Sequence, residues 1–391
     1  MATGRQAPPP LAAAVARDYR TVALVLQGGG ALGAYQAGVV EAMGEAGLWP
    51  NWVAGISIGA LNAAIVAGNP PGRRVERLRE FWRTICQSPL WPSLPAPPWF
   101  DEAAWPLALR DGMSGLAAWR ALVEGQAGFF RPRLPAPVLQ AHASPASASW
   151  YDTAPLRATL ERLVDFDRVN DARAMRVSVG AVNVRSGNFA YFDNTKERLR
   201  PEHFMASGAL PPGFPAVEID GEFYWDGGII SNTPLYRVLT ERPHRDMLVF
   251  QVDLWSARGE LPRDMAGVAE RVKDIQYSSR TRLVTEYMHQ AREQQRLLHA
   301  LMALVPEARR GDPAYRHAQQ EANGALTNLV HLIYQDKPFE GHYKDYEFSP
   351  ASMRAHWRSG LDDMRHTLAH PGWLAAPDPD QPFVTHDVHR G

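Results

Sequence analysis

The chain has 391 residues, with 41 Lys and Arg against 42 Asp and Glu and a single cysteine, Cys86. Such a length can bury a large core and predicts about two domains. The formal charge of −1 excludes a global basic field for nucleic acid, and one cysteine excludes an internal disulfide framework. No apolar run approaches the ~18 residues of a membrane span, and Leu11–Ala16 is too short for a secretory signal, so a cytoplasmic location is expected.

The chain opens with a strand, a glycine loop and a helix. Residues 1–18 are interpreted as a mobile N-terminal arm, and Thr21–Leu26 is a continuous apolar run typical of a central strand. It leads into the loop Gly28–Gly33 and a helix from about Ala34 to Ala46. The loop fits the dinucleotide pattern G-x-G-x-x-G, but Ala54–Ser57 stand where that site needs an acidic residue. A glycine loop that opens a helix also offers N–H groups to an oxyanion.

A second strand–turn–helix unit carries the candidate nucleophile. The apolar run Trp52–Ala54 leads into Gly55-Ile56-Ser57-Ile58-Gly59, and Ala60–Ala67 follow as a helix that ends at Gly68. In this G-x-S-x-G pattern, Gly55 and Gly59 allow a tight turn that projects the Ser57 hydroxyl at a helix N-terminus. The alternative is a glycine-rich turn with an incidental serine. Two consecutive βα units would place both loops at one sheet edge, where a nucleophile meets oxyanion donors.

Residues 88–150 have a different character. Five prolines lie between Pro89 and Pro98, and large aromatic side chains recur through Trp91–Phe130. One interpretation is a cap or lid that shields an apolar acyl pocket and touches membranes or micelles. The alternative is a satellite core beneath long loops.

The candidate base follows a second glycine- and proline-rich segment. A helix is predicted from Thr153 and a strand over Met175–Val184, and then Ala206–Val217 is too rich in Gly and Pro for a helix or a central strand. A short hairpin leads on to Asp226-Gly227-Gly228. An aspartate before two glycines is usually a turn. In a chain that already holds a nucleophile elbow, Asp226 becomes a candidate base.

These four blocks, in this order, resemble the patatin-like phospholipases, a family of serine lipid acyl hydrolases. The resemblance extends from Thr21 to about Leu254. It implies a three-layer α/β/α patatin-like fold with a mainly parallel central sheet, and a Ser–Asp dyad without cofactor or metal. Carried over by position, Ser57 is the nucleophile and Asp226 the base. The oxyanion loop is Gly28, Gly29 and Gly30; Gly55 and Gly59 form the elbow, and Gly227 and Gly228 complete the Asp-Gly-Gly motif.

One departure from the family pattern concerns the glycine loop. Leu32 stands where the family often carries a basic residue, and Gln27 where it often carries an acid. A missing cation would alter the preference for anionic head groups. The chain therefore departs from the pattern of the family it resembles at a position that bears on phospholipid as substrate.

The pattern of the last third of the chain predicts further helices and two more strands. Met247–Leu254 is another buried strand, and apolar residues from Val268 to Val305 fall at helical spacings. One unbroken helix of that length would be ~60 Å long, so a break is expected. Thr327–Tyr334 is a predicted strand that joins the main sheet, and Ser349-Pro350 caps a helix. The expected domains are a catalytic domain over 19–255 and a mainly helical C-terminal extension, similar to that of some bacterial patatin-like proteins, over 256–391.

Three functions remain open. The leading one is a serine hydrolase of lipid or other hydrophobic esters, with peripheral membrane or micelle contact and no nucleic-acid partner. The second is an acyltransferase like the malonyl transacylases, which use a histidine and a carboxylate-binding arginine; the third is a non-catalytic lipid-binding protein. A Ser–Asp–His triad would need His244, the first histidine after Asp226, but only one strand precedes Ser57, where that fold places several.

Overall fold

The computed structural model describes residues 10–88, 107–135, 137, 144–279, 281–322, 325–335 and 340–389. The strands within these ranges are β1 Thr21–Leu26, β2 Trp52–Gly55, β3 Arg131–Pro132, β4 Tyr151–Asp152, β5 Arg176–Asn183, β6 Phe189–Asp193, β7 Val217–Ile219, β8 Glu222–Asp226, β9 Met247–Asp253, β10 Thr327–Ile333 and β11 Phe383–Asp387. The α-helices are α1 Pro10–Asp18, α2 Ala34–Glu45, α3 Ile58–Ala67, α4 Arg74–Ile85, α5 Leu107–Glu124, α6 Ala154–Leu163, α7 Phe166–Val169, α8 Pro201–Ser207, α9 Leu235–Leu239, α10 Met265–Tyr277, α11 Thr281–Ala303, α12 Pro313–Glu321 and α13 Pro350–Leu368.

Nine of the described strands form one sheet in the order β11-β10-β9-β1-β2-β5-β8-β7, with β6 paired to β5. The six strands from β11 to β5 run parallel, whereas β6, β7 and β8 add antiparallel pairs at one side. The central strands β1 and β9 are apolar along most of their length because helices cover both of their faces. The expected three-layer α/β/α fold with a mainly parallel sheet is confirmed.

Alternate residues of each central strand enter two separate cores. Leu24, Leu26 and Phe250 pack with α2, α3, α4 and α13 on one face. Ala23, Val25 and Val249 pack with α9 and α11 on the other face. This alternation follows from the two-residue period of a β-strand.

The predicted mobile arm differs from the structure over its second half. Pro10–Asp18 form helix α1, and the side chains of Val15 and Tyr19 are buried. Tyr19 also donates from its hydroxyl to the carbonyl oxygen of Ala375 at 2.7 Å. Contacts distant in sequence hold this segment, so its local composition gave no sign of order.

The C-terminal third is part of the main fold as well as a helical extension. Strands β10 and β11 extend the sheet beyond β9, and the break expected within Val268–Val305 lies between α10 and α11. Helix α13 packs closely on α2, since a Cβ added at Gly360 would lie 1.9 Å from the carbonyl oxygen of Tyr35. The C-terminal extension therefore adds strands to the main sheet, as predicted for Thr327–Tyr334, and packs on one of its covering helices.

The predicted lid is only partly within the described ranges. Trp91, Trp99 and Phe100 lie outside the described residues, so the lid hypothesis for them stays a prediction. Phe129 and Phe130 are buried in the main core. None of the helices within the described ranges combines the length and the apolar character that a bilayer crossing requires.

Candidate active site

Ser57 occupies the turn between β2 and α3 with a strained backbone. Its φ of 55° and ψ of −125° place it in a region that side-chain-bearing residues rarely adopt. The turn is tight because Gly59 lies against β1: a Cβ there would be 2.4 Å from the carbonyl oxygen of Leu26. At Gly55, a Cβ would be 2.4 Å from the carbonyl oxygen of Gly59. At both predicted elbow positions, any residue larger than glycine would therefore clash with the backbone.

The backbone of the turn is held by a serine that the sequence did not indicate. The Ser57 N–H donates to the hydroxyl oxygen of Ser207 at 2.9 Å, and that hydroxyl donates to the carbonyl oxygen of Gly180 at 2.7 Å. Ser207 is fully buried at the end of α8. The Ser57 N–H is thereby occupied and is not free to act on a bound anion.

The sheet brings Asp226 to Ser57 through two strands that meet end to end. Strand β6 pairs with one edge of β5 over Ser178–Val182. Strands β2 and β8 both pair with the other edge of β5. Strand β2 pairs with β5 up to Val179, and β8 runs in from the opposite direction to Ala181. The turn that follows β2 and the last residue of β8 therefore face each other across a short gap.

Asp226 is 2% exposed, and its surroundings make it a stronger base than an ordinary aspartate. Burial raises its pKa from 3.8 to about 7, although the nearby Ser57 hydroxyl and the Gly228 N–H act in the opposite direction. The Gly228 N–H lies 2.7 Å from Oδ1, and Gly227 begins the turn after the strand. Desolvation favours the neutral acid, so the carboxylate accepts a proton readily near neutral pH.

The three glycines of the predicted oxyanion loop differ in their hydrogen bonds. The Gly28 N–H donates to the carbonyl oxygen of Asn232 at 3.1 Å. In return, the Asn232 side-chain amide donates to the Gly28 carbonyl oxygen at 2.9 Å. The N–H groups of Gly29 and Gly30 donate to no group within the described residues. Two of the three glycines, not all three, thus offer a free donor.

A turn from the C-terminal third holds the glycine loop in place. Gly30 has a φ of +55°, and a Cβ there would lie 2.0 Å from the carbonyl oxygen of Asp345. The same oxygen accepts a hydrogen bond from the Ala31 N–H at 2.8 Å. The Asp345 carboxylate is paired with Lys273 of α10 at 2.7 Å. Residues far beyond the glycine loop therefore fix where its free N–H groups point.

Gln27 and Leu32, the two departures from the family pattern, are both fully buried. The Gln27 amide donates to the hydroxyl of Thr233 at 2.8 Å, and its oxygen accepts from the N–H of Leu254 at 2.6 Å. A neutral amide supplies both a donor and an acceptor here, whereas a carboxylate could only accept. Leu32 packs in the helical core, so it adds no polar group to the site.

Ser57 and Asp226 lie at one cavity of about 290 Å³. Most of its described lining is apolar or aromatic, and the rings of Phe129, Phe130, Tyr151 and Phe214 pack against one another there in edge-to-face and tilted pairs. The described lining residues include no Lys, Arg or His; besides Asp226, Asp345 is the charged residue among them. The other described lining residues are Ile58, Leu61, Leu122, Leu210, Pro211, Pro212, Asn232, Trp255, Tyr277, Tyr346 and Phe348, together with Gly228 and the glycines of the loop and the proline segment. Such a cavity suits a hydrocarbon chain.

His244 lies far from this cavity. It precedes β9, and the cavity lies beyond the carboxyl end of that strand at Trp255. The seven residues of β9 span about 20 Å at the rise of a β-strand. Burial lowers its pKa to about 4, and it is not among the cavity residues. The described residues therefore place no histidine where a triad would need one.

Sequence reasoning missed several residues that position the site. Ser207, Asn232, Trp255 and Asp345 all contact the elbow or the glycine loop. Asn232 follows the Asp-Gly-Gly motif by a few residues, which is a weak signal of its own. Asp345 acts through its backbone carbonyl, and backbone contacts leave no trace in residue type.

Comparison with known proteins supports these observations at the level of family. A family model described as patatin-like phospholipase matches residues 24–239, and another described as patatin phospholipase matches residues 275–380. The chain is also similar to VipD from Legionella pneumophila, with 14% identity, 89% of this chain and 67% of VipD covered, and a TM-score of 0.38. Human GIVD cytosolic phospholipase A2 gives 13% identity, 62% and 45% coverage and a TM-score of 0.32, so this chain spans less than half of it. Comparison with curated proteins gave no match.

Proposed function

Because the chain belongs to the patatin-like phospholipase family, we propose that it is a serine acyl hydrolase that cleaves carboxylic esters of lipids through a Ser57–Asp226 dyad. Membership supports lipid ester hydrolysis at family level. The observation that carries the dyad is that Ser57 and the buried carboxylate of Asp226, whose pKa is raised, lie together at the wall of one apolar cavity.

The proposed reaction has two half-steps. As the Ser57 hydroxyl oxygen attacks the ester carbonyl carbon, its proton passes to Asp226, which then protonates the departing alcohol. The tetrahedral oxyanion accepts hydrogen bonds from the Gly29 and Gly30 N–H groups. Water next attacks the acyl-enzyme, Asp226 accepts its proton, and Ser57 leaves with that proton as the free acid is released. Neither step requires a cofactor.

The acyltransferase alternative has less support. Malonyl transacylases use a histidine together with an arginine that binds a carboxylate, and the described lining of this cavity holds neither residue type. The proposed function is tested by labelling with a fluorophosphonate serine probe and by release of fatty acid from lipid esters. Both signals should be lost in Ser57→Ala.

The raised pKa of Asp226 gives a pH dependence. The base must be ionised to act, so kcat/KM should rise about tenfold per pH unit below about 7 and level off above it. Stability should change in the opposite direction, because the folded state holds this proton between pH 3.8 and about 7 while the unfolded state releases it. The melting temperature of Asp226→Asn should therefore exceed that of the wild type increasingly from pH 4 to pH 7. A pH-rate profile that levels off near pH 4 would contradict the assignment.

The cavity wall should select the acyl chain. Leu210 lines the cavity and is only partly buried, so Leu210→Trp should narrow the space without disrupting the core. We expect kcat/KM for a p-nitrophenyl laurate to fall at least tenfold while that for the butyrate changes less than twofold. Leu304→Trp adds the same side chain at a position that is 78% exposed and should affect neither substrate. Equal losses on both esters in Leu210→Trp would show that Leu210 does not border the acyl chain.

A further inference from the structure

Helix α10 turns its apolar side outward. The exposed residues between Met265 and Tyr277 include no charged side chain; Met265, Val268, Val272 and Ile275 are 79%, 39%, 56% and 60% exposed. These four positions repeat at helical spacing and lie on one face. An amphipathic helix of a globular domain normally buries that face, so α10 is inverted.

Ionic contacts hold α10 in this orientation. Lys273 pairs with Asp345 at 2.7 Å, and Asp274 accepts from the buried Lys344 at 2.8 Å. Arg271 donates to the carbonyl oxygen of Ser256 at 3.3 Å. The polar side of the helix is thus fixed against the protein, and its apolar side cannot rotate inward without breaking a buried ion pair.

Helix α5 shows the same inversion. Met113, Leu116, Trp119 and Val123 are between 48% and 59% exposed, and the exposed residues from Gly112 to Val123 include no charge. The buried side of this stretch carries Ala118 and Ala121 instead. By contrast, the exposed side of α11 mixes Leu297 with Glu286, Gln294 and His299, which is the usual composition of a solvent-facing helix.

Both inverted helices end at the catalytic cavity. Leu122 of α5 and Tyr277 of α10 line it. Lys273 of α10 also donates to the carbonyl oxygen of His342 at 3.0 Å, and a Cβ added at Gly115 of α5 would lie 4.0 Å from the ring of the neighbouring Tyr343. Ile229 and Ile230, which directly follow the cavity residue Gly228, are 43% and 52% exposed. Exposed apolar groups of this extent indicate an interaction site.

We propose that the apolar faces of α5 and α10, with Ile229 and Ile230, form a docking surface for an uncharged lipid surface, from which the ester enters the cavity. This inference rests on the proposed function, because a lipid substrate is presented in bilayers or micelles. Two features favour lipid over a protein or a second copy: the surface is continuous with the cavity that receives the acyl chain, and its exposed side chains carry no charge to pair with a folded partner. Trp119 has the amphipathic ring typical of membrane interfaces.

The test measures co-sedimentation with sucrose-loaded phosphatidylcholine vesicles, using full-length protein with Ser57→Ala so that the vesicles stay intact. The triple variant Val268→Ser, Val272→Ser and Ile275→Ser should lower the vesicle partition coefficient at least tenfold. The matched control Leu297→Ser, Leu301→Ser and Leu304→Ser removes similar exposed side chains from α11 and from the turn that follows it, and its vesicle partition coefficient should stay within twofold of the wild type. Binding should change less than twofold between 0.1 and 1 M NaCl, or when phosphatidylglycerol is added.

A second measurement uses the same substitutions with Ser57 intact. Hydrolysis of a soluble butyrate ester should stay within twofold of the wild type, while hydrolysis of dispersed long-chain ester should fall at least tenfold. Unchanged vesicle binding by the α10 variant would overturn the proposal, as would a wild-type dimer that this variant converts to monomer without loss of vesicle binding. If the wild type binds vesicles through this face but cleaves no ester, the proposed function is wrong, whereas the docking surface on α5 and α10 is supported.

Discussion

Ser57→Ala and Asp226→Asn are each expected to lower kcat/KM for ester hydrolysis by about 100- to 10,000-fold, the range that a positioned general base contributes. A serine hydroxyl is a weak nucleophile until its proton has an acceptor, and the described cavity residues offer Asp226 in the place where other hydrolases use histidine. Asn keeps the shape of the carboxylate but cannot take the proton. Because the two residues act as one unit, the double variant should be little worse than either single one. Steady-state kinetics on a soluble ester measures all three.

The control for the dyad is His244→Ala. This residue lies at the opposite end of β9 from the cavity, so its loss should leave most of the activity. Retained activity in Asp226→Asn together with a loss in His244→Ala as deep as that in Ser57→Ala would reject the dyad and restore a triad.

Gly30→Ala is expected to lower kcat by about 100- to 1,000-fold, the cost of losing one preorganised oxyanion donor. The new Cβ would lie 2.0 Å from the Asp345 carbonyl oxygen, which is a backbone atom and cannot simply rotate away. The loop must shift, and the free N–H groups of Gly29 and Gly30 shift with it. KM should change little, because the oxyanion exists only in the transition state and the intermediate.

Gly187→Ala is the matched control for Gly30→Ala. Gly187 also has a positive φ, of 70°, but a Cβ there meets nothing within 4 Å. Backbone strain should lower the melting temperature of both variants. Only Gly30→Ala should also lower kcat. Activity within threefold of the wild type in Gly30→Ala would place the oxyanion donors elsewhere.

Several strands and helices around the site follow from local sequence, and they could be predicted from the sequence alone. The apolar runs of β1 and β9, the helix after Gly33 and the placement of Gly55 and Gly59 around Ser57 are each visible within a few residues of the chain. Hydrophobic periodicity and glycine placement report such neighbours directly. The break within Val268–Val305 was also foreseeable, since a single helix of that length would exceed the size of a domain.

The meeting of Ser57 and Asp226 was not foreseeable from periodicity. It depends on β2 and β8 sharing one side of β5 from opposite directions, and strand pairing across such sequence distances has no local signal. The family resemblance supplied the pair of residues. The pairing of the strands supplies the physical reason that they are adjacent, and burial at that junction supplies the raised pKa.

By itself, the sequence determined the strands and helices that flank the glycine loop and the Ser57 turn, and which residue types can do acyl chemistry, because those properties act over a few residues. Only the tertiary structure decided which glycine N–H groups stay free, that Asp345 supports their loop from over 300 positions away, and that α10 faces outward. The apolar spacing of Val268, Val272 and Ile275 specifies a helix face but not its direction. Its direction is set by Lys273 and Asp274, whose ion-pair partners become neighbours only when the chain has folded.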